Sequence, residues 1–236
     1  RDVATDDRRG QYPDYYLQNF HHQTDGYLSS DSARLYDFQV ETLFTGTGDL
    51  MRRQGLVPLA AILKGRDQRR LKLLDVATGT GGFLAAVKHN YPRLPVTGID
   101  LSPDYLAEAR KKLRPWRGVT LTHGNAEKLP FADQAFDVVT SVYLFHELPA
   151  AVRRRAASEM ARVLKPGGQV VFIDTLQLGD VPDFDDLLRA FPDRFHEPYY
   201  AGYIASDLDD YFSPAGLTRL SDTPAFLSKV SVFGKA

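Results

Sequence analysis

The segment that most constrains this chain is Leu73-Leu74-Asp75-Val76-Ala77-Thr78-Gly79-Thr80-Gly81-Gly82. A short apolar run of strand character enters a glycine-rich turn, and a helical pattern opens at Phe83. Glycines there permit left-handed backbone and let a ligand come close. The helix behind them offers N–H groups with no partner of their own. Asp100 stands at the end of the next predicted strand, where a carboxylate can take hydrogen bonds from a pair of ribose hydroxyls.

Dinucleotide enzymes use the same turn, so a nicotinamide-dependent oxidoreductase has to be weighed. Their fingerprint is Gly-x-Gly-x-x-Gly, with a pyrophosphate on the helix N-terminus. Here Phe83 and Leu84 follow Gly82, and the third glycine is missing. Asp75 ahead of the loop is badly placed for phosphate and well placed for a cationic amino group.

Beyond Leu71 the chain alternates strand-like and helix-like segments, the pattern of βαβ units around a mostly parallel sheet. The expected strands are Leu71–Val76, Pro95–Ile99, Val119–Thr122, Phe136–Val142 and Gln169–Asp174, with Leu217–Leu220 and Phe226–Phe233 pairing antiparallel at an edge. Helices are expected near Phe83–Asn90, Pro103–Leu113 and Ala150–Leu164. Ser102 reads as an N-cap with Pro103 in first helical position. Lys165-Pro166-Gly167-Gly168 reads as a helix end and turn. Residues 1–65 form an N-terminal helical cap in this reading, with helices at Asp31–Phe44 and at Leu50–Leu63, the second broken near Pro58. Residues 66–236 form the sheet domain, with a lid insertion at 176–212.

The chain carries a formal net charge of −1, whereas dedicated nucleic-acid binders carry a strong basic excess. The clusters Arg66 to Arg70 and Arg153 to Arg155 read as a solvated loop and a solvated helix face. Cysteine is absent, which leaves no disulfides and fits a reducing compartment, cytoplasmic or organellar. No apolar run is long enough to span a membrane.

Five ordered segments carry a resemblance to a known family: Leu73 to Gly82, Gly98 to Ser102, Gly124 to Phe131, Phe136 to Val139, and Arg162 to Gly168. Together they resemble the motifs of class I S-adenosylmethionine-dependent methyltransferases. The form Asp75-Val-Ala-Thr-Gly-Thr-Gly81 is similar to the quinone-biosynthesis branch. The resemblance implies a Rossmann-like, seven-stranded, mostly parallel α/β sheet with helices on both faces, and S-adenosyl-L-methionine as cofactor. It places Ala77, Gly79 and Gly81 against the methionine part of that cofactor and makes Asp75 the amino-group partner, directly or through water. Asp100 takes the ribose, Leu101 flanks the adenine, and Asn125 and Ala126 meet its edge. Asn125 stands where many relatives have Asp, and Ala77 where glycine is commoner.

The acceptor side is less constrained, because methyl transfer from a sulfonium needs mainly alignment. A base is required only if the nucleophile must lose a proton. His146 is the candidate base, with Glu147 to orient it, and Tyr143 stands beside them. Tyr143, and His21 lining the site from the cap, are the further catalytic candidates, and Tyr16, Glu147 and Tyr199 of the aromatic lid are the expected acceptor contacts. Adjacent His21 and His22 point apart on most backbones, so no metal site is expected. The tetrad of amide and adenine N-methylating enzymes is absent, since Ser141-Val142-Tyr143-Leu144 occupies its place. Aromatic residues on both flanks suit a small, ring-shaped or apolar acceptor. The competing readings are an RNA or protein methyltransferase and a non-catalytic S-adenosylmethionine-binding protein.

Overall fold

The computed structural model describes residues 11–18 and 27–236. Among them, seven strands form one sheet in the order β3-β2-β1-β4-β5-β7-β6. The parallel strands are β1 (Leu73–Val76), β2 (Val96–Asp100), β3 (Val119–His123), β4 (Phe136–Val142) and β5 (Leu164–Thr175). β6 (Leu217–Ala225) and β7 (Ser228–Lys235) close one edge, with β7 antiparallel to both its neighbours. The strand order reverses between β1 and β4, and open α/β sheets bind ligands beyond the carboxyl ends of strands at such a point.

Helices α1 (Ser30–Leu43), α2 (Gly48–Arg53) and α3 (Leu56–Leu63) precede the sheet; α4 (Gly82–Asn90), α5 (Pro103–Leu113) and α6 (Ala150–Val163) cross between parallel strands. Successive strand residues point to opposite faces, and the core divides accordingly. Leu73, Val138 and Val171 pack with Leu59 of α3, Phe83 and Leu84 of α4 and Leu113 of α5. Leu74, Val139 and Phe172 pack on the other face with Met160 of α6, Tyr203 of α8 (Tyr200–Ile204) and Phe212 of α9 (Asp209–Phe212). β1 is buried throughout because helices cover both its faces. No helix among the described residues is long and apolar enough to cross a membrane.

Local chemistry sets the helix starts. The Ser102 hydroxyl accepts the Tyr105 N–H at 3.3 Å, and Pro103 opens α5, as its sequence predicts. Gly98 in β2 sits under the glycine loop. A Cβ there would come within 2.9 Å of both Leu121 and Thr78 and 3.0 Å of Leu84. Gly98→Val is expected to cost about 1–3 kcal/mol of stability through overpacking, read as a lower urea midpoint at unchanged slope.

Four expectations need correction. The break in the second helical stretch falls at Gln54–Gly55, between α2 and α3. Pro58 lies in the first turn of α3, where its missing N–H has no intrahelical partner to lose. β1 starts at Leu73 because Gln68–Arg70 form a 3₁₀ turn and the Lys72 N–H is held by Asp137 at 3.0 Å. Pairing of β5 already begins at Leu164, ahead of the Lys-Pro-Gly-Gly turn. Phe226 belongs to a turn, in the left-handed region at φ 58°, because β6 continues to Ala225.

Arg153 is a fifth correction. It is not on a solvated face but only 1% exposed. Its Nε donates to the Phe145 carbonyl at 2.8 Å, Nη2 to the Tyr199 carbonyl at 2.7 Å and Nη1 to the Tyr211 hydroxyl at 3.1 Å. The guanidinium also lies 5.3 Å from the Tyr203 ring centre. One side chain thereby ties α6 to the turn after β4 and to the insertion between β5 and β6.

Candidate active site

A half-open cavity, about 820 Å³ with the solvent at its mouth included, lies beyond the carboxyl ends of β1, β2 and β4. Six of the eight residues assigned to the cofactor line it: Ala77, Gly79, Asp100, Leu101, Asn125 and Ala126. Tyr15, Tyr16, Tyr27 and Tyr36 from the N-terminal region and Tyr105 of α5 complete the wall. The two absentees have clear places. Gly81, at φ 77°, caps α4, and a Cβ there would meet Leu113 at 3.0 Å and Ala109 at 3.2 Å. It shapes the turn and the contact with α5. Asp75 lies behind the loop in a connected recess of about 350 Å³ that shares Tyr36, Ala77, Gly79, Val142 and Tyr143 with the main cavity.

The loop backbone explains its composition. Ala77 (φ 60°) and Gly79 (φ 55°) both sit in the left-handed region, which is why glycine is commoner at position 77. Alanine there costs about 1–2 kcal/mol. The Gly79 N–H donates to Asp100 Oδ2 at 2.7 Å and the Ser102 N–H to Oδ1 at 2.9 Å. Burial pushes the Asp100 carboxyl up, against those two hydrogen bonds, to about 6. Asp75 also rises to about 6 through burial, although the Thr140 and Thr78 hydroxyls donate to it at 2.6 and 2.7 Å. Asn125 Oδ1 accepts the Glu127 N–H at 2.8 Å, so the side chain builds its own turn while lining the cavity.

The N-terminal region is clasped onto this site. Tyr15 donates to Glu127 at 2.7 Å, Tyr27 donates to Glu147 at 2.5 Å, and Asp37 of α1 accepts from Thr80 at 2.8 Å and from Lys112. Arg52 of α2 is buried and lines the recess beside Asp75. No motif spacing announces Arg52; only the packing of α2 against α4 brings it there.

A second cavity, of about 930 Å³, adjoins the first and shares Tyr36, Tyr143 and Glu147 with it. Gln39, Val40 and Leu43 of α1 and its C-cap Phe44 form one wall, and Phe191 and Phe195 of α7 (Asp185–Phe195) another. His146, Glu147, Thr175 and Glu197 make its polar end. Tyr143 stands at the junction at φ 57°, its hydroxyl 2.8 Å from Ser228, its acidity lowered by burial to a pKa of about 12.

The remaining candidates divide. His146 reaches the second cavity, but its orienting partner is Asp174 at the end of β5, 2.6 Å from Nδ1, rather than Glu147. Glu147 holds Tyr27, with its Oε1 3.8 Å from His146 Nε2. Burial alone would lower the His146 pKa; Asp174, with Glu197 and Glu147, outweighs it and lifts it to about 9. Tyr16 lines the first cavity, not the second. Tyr199 packs beside Tyr27 and Tyr105 and lines neither cavity. His21 and His22 lie outside the described residues.

Known proteins agree with this architecture. Residues 73–168 match a family described as a methyltransferase domain. The ubiquinone/menaquinone biosynthesis C-methyltransferase of Desulfotalea psychrophila is 33% identical over 189 residues, covering 79% of this chain and 71% of that protein. The demethylmenaquinone methyltransferase of Chlorobaculum parvum is 41% identical over 63% of this chain, which spans 58% of its length. In fold, the chain is similar to a sarcosine dimethylglycine methyltransferase candidate from Galdieria sulphuraria, with a TM-score of 0.65 and 16% identity over 87% of this chain and 98% of that one. The motif order, the sheet topology and these relatives together place the chain in the class I S-adenosylmethionine-dependent methyltransferase family, in the branch that holds the quinone-biosynthesis enzymes.

Proposed function

We propose that the protein transfers the methyl group of S-adenosylmethionine to a ring carbon of a small hydroxylated, quinol-type acceptor. The observation that carries this reading is the pair of adjoining cavities, one built on the glycine loop and Asp100, the other on phenylalanines with an acidic end, meeting at Tyr36, Tyr143 and Glu147. The donor set fits the cofactor. Each Asp100 oxygen holds one backbone N–H and keeps a lone pair for a ribose hydroxyl. Asp75 suits the ammonium of the methionine part and Arg52 its carboxylate. Leu101, Asn125 and Ala126 offer the adenine an apolar face and a polar edge. When bound, the cofactor supplies an electrophilic methyl group on a sulfonium. The protein supplies alignment, with Tyr27, Tyr36 and the aromatic residues of α7 lining the two cavities.

The acceptor class comes from the second cavity together with the relatives named above, which act in ubiquinone and menaquinone synthesis. Phe44, Phe191 and Phe195 give a flat ring or an isoprenoid tail an apolar bed, and His146, Glu147 and Glu197 meet its hydroxyls.

Calorimetric titration with S-adenosylhomocysteine, with NADH as control, tests the cofactor half. Binding of the former alone is expected, and NADH binding instead would overturn the reading. The affinity should weaken on acidification, because the ionised forms of Asp75 and Asp100 are the binding forms and both protonate near pH 6. Each group raises Kd about tenfold between pH 7.5 and 5; a flat profile would detach both from the site. A screen of hydroquinones, phenols and amines, with the methylated atom located by NMR, tests the acceptor half. Methylation of amines alone would overturn it.

A further inference from the structure

We propose, resting on the quinol reading above, that Asp174 is a positioning residue that holds His146 as a hydrogen-bond donor to the acceptor's oxygen, with Glu147 as the proton acceptor. The sequence pairs His146 with its neighbour Glu147 as orienter. The fold separates those two roles and brings in a carboxylate from another strand.

The geometry is closed on one side of the imidazole and open on the other. Asp174 is 1% exposed and its carboxylate receives three donors. His146 Nδ1 and the Thr175 N–H meet Oδ1 at 2.6 and 2.8 Å, and the Phe145 N–H meets Oδ2 at 2.8 Å. Two backbone amides, one from β5 and one from the turn after β4, therefore aim the carboxylate, and the carboxylate aims the ring. With Nδ1 committed, Nε2 is the nitrogen His146 has to offer in the second cavity, which it lines. A carboxylate on one ring nitrogen and a second one 3.8 Å from the other favour the doubly protonated ring.

The groups around His146 come from every element packed against it. Asp174 lies on β5, Glu147 in its own turn, and Glu197 between α7 and α8. The rings of Tyr143, Tyr200 and Tyr203 have centres 6.3, 6.0 and 6.4 Å from the imidazole. Arg153, bonded to the Phe145 carbonyl, is the cation on the α6 side. The acids outweigh the burial of the ring, which by itself favours the neutral form, and the ring stays protonated through neutral pH. A protonated imidazole cannot take a proton from the acceptor, but it stabilises an oxyanion well.

The proton balance then closes through Glu147, which borders both cavities. The acceptor's hydroxyl proton passes to the Glu147 carboxylate, and the charge left on oxygen is held by the Nε2–H of His146. The ring carbon forms the new C–C bond with the electron pair displaced from that oxygen, while the electrons of the broken C–S bond stay on sulfur. Loss of the ring proton to water restores aromaticity as Glu147 returns its proton to the oxygen. One proton is released per methyl transferred.

The test compares wild type, Asp174→Asn, Asp174→Glu and His146→Gln. Titration of ¹⁵N-histidine-labelled, S-adenosylhomocysteine-saturated protein should show the His146 ring protonated beyond pH 8 in the wild type. Its proton affinity should fall at least tenfold in Asp174→Asn and recover in Asp174→Glu. Turnover of the hydroquinone acceptor should fall about a hundredfold in Asp174→Asn at pH 7.5, with S-adenosylhomocysteine affinity within about twofold. In the wild type, kcat should decline at alkaline pH as Nε2–H loses its charge, and that limb should move down by at least one pH unit in Asp174→Asn. His146→Gln should lack the limb, and it serves if Asp174→Asn does not fold. An Asp174→Asn protein with reduced turnover but an unmoved His146 resonance and unmoved limb would reduce Asp174 to a structural role and overturn the proposal. A wild type that binds S-adenosylhomocysteine and shows the His146 shift yet methylates no hydroquinone would sink the acceptor reading and leave only the Asp174–His146 pair standing.

Discussion

Arg153→Ala is expected to lower the stability of the protein by about 3–5 kcal/mol, and its thermal midpoint by roughly 10 °C or more. The size follows from what the side chain does. Its three hydrogen bonds serve the carbonyls of Phe145 and Tyr199 and the hydroxyl of Tyr211, all in the buried region between α6 and the insertion. Truncation removes one donor from each: the carbonyls of Phe145 and Tyr199 keep the N–H groups of Leu148 and Tyr203, while the desolvated contacts with the Tyr203 and Tyr211 rings give way to a cavity. Arg153→Lys keeps the charge but cannot reach three partners, so most of the loss should persist. Because Phe145 is the neighbour of His146, Arg153→Lys should also reduce turnover at temperatures where it remains folded. A melting point within a degree or two of wild type in Arg153→Ala would show that the insertion is held by other contacts.

Asp100→Ala should weaken S-adenosylhomocysteine binding by roughly 1–3 kcal/mol, a loss of about 5- to 150-fold. The variant would remove the two charge-assisted hydrogen bonds proposed to the ribose, and the N–H groups of Gly79 and Ser102 lose the carboxylate that fixes the loop. The same variant should show a shallower acid limb in its binding profile, because one of two groups protonating near pH 6 is gone. Asp100→Asn, which retains an acceptor for one donor, should fall between. Calorimetry at pH 7.5 and pH 5 separates these outcomes. Unchanged affinity in Asp100→Ala would remove the residue from the cofactor site.

The two sites differ in how far sequence alone reaches them. The cofactor loop is local. Asp75, Ala77 and Gly79 lie within a few residues of one another, and Asp100 ends the next strand, so βαβ geometry leaves them one arrangement. The same local rules placed the α5 cap at Ser102 and the antiparallel edge of β6 and β7. The N-terminal cap was legible as helices but not as a wall, because helical periodicity says nothing about where α1 and α2 dock. Arg52, Tyr27 and Tyr36 reach the site through that docking.

The acceptor side is built from residues far apart in the chain, and nearest-neighbour reasoning reached Glu147, 3.8 Å from His146, but missed Asp174. Glu147 adjoins His146 in sequence, yet consecutive residues of the tight turn after β4 point different ways, and Glu147 turns to Tyr27. Asp174 meets His146 because β4 and β5 run parallel and adjacent, which brings their carboxyl ends together. The Arg153 cluster misled for a similar reason. Charge composition marks a surface, but three satisfied hydrogen bonds and two aromatic rings can hold a guanidinium inside a core. Sequence determined the sheet, the glycine loop and the methyltransferase family, since each rests on short-range patterning. Tertiary structure alone decided the partner of His146, the burial of Arg153 and the walls of both cavities, since each depends on which distant segments the hydrophobic core presses together.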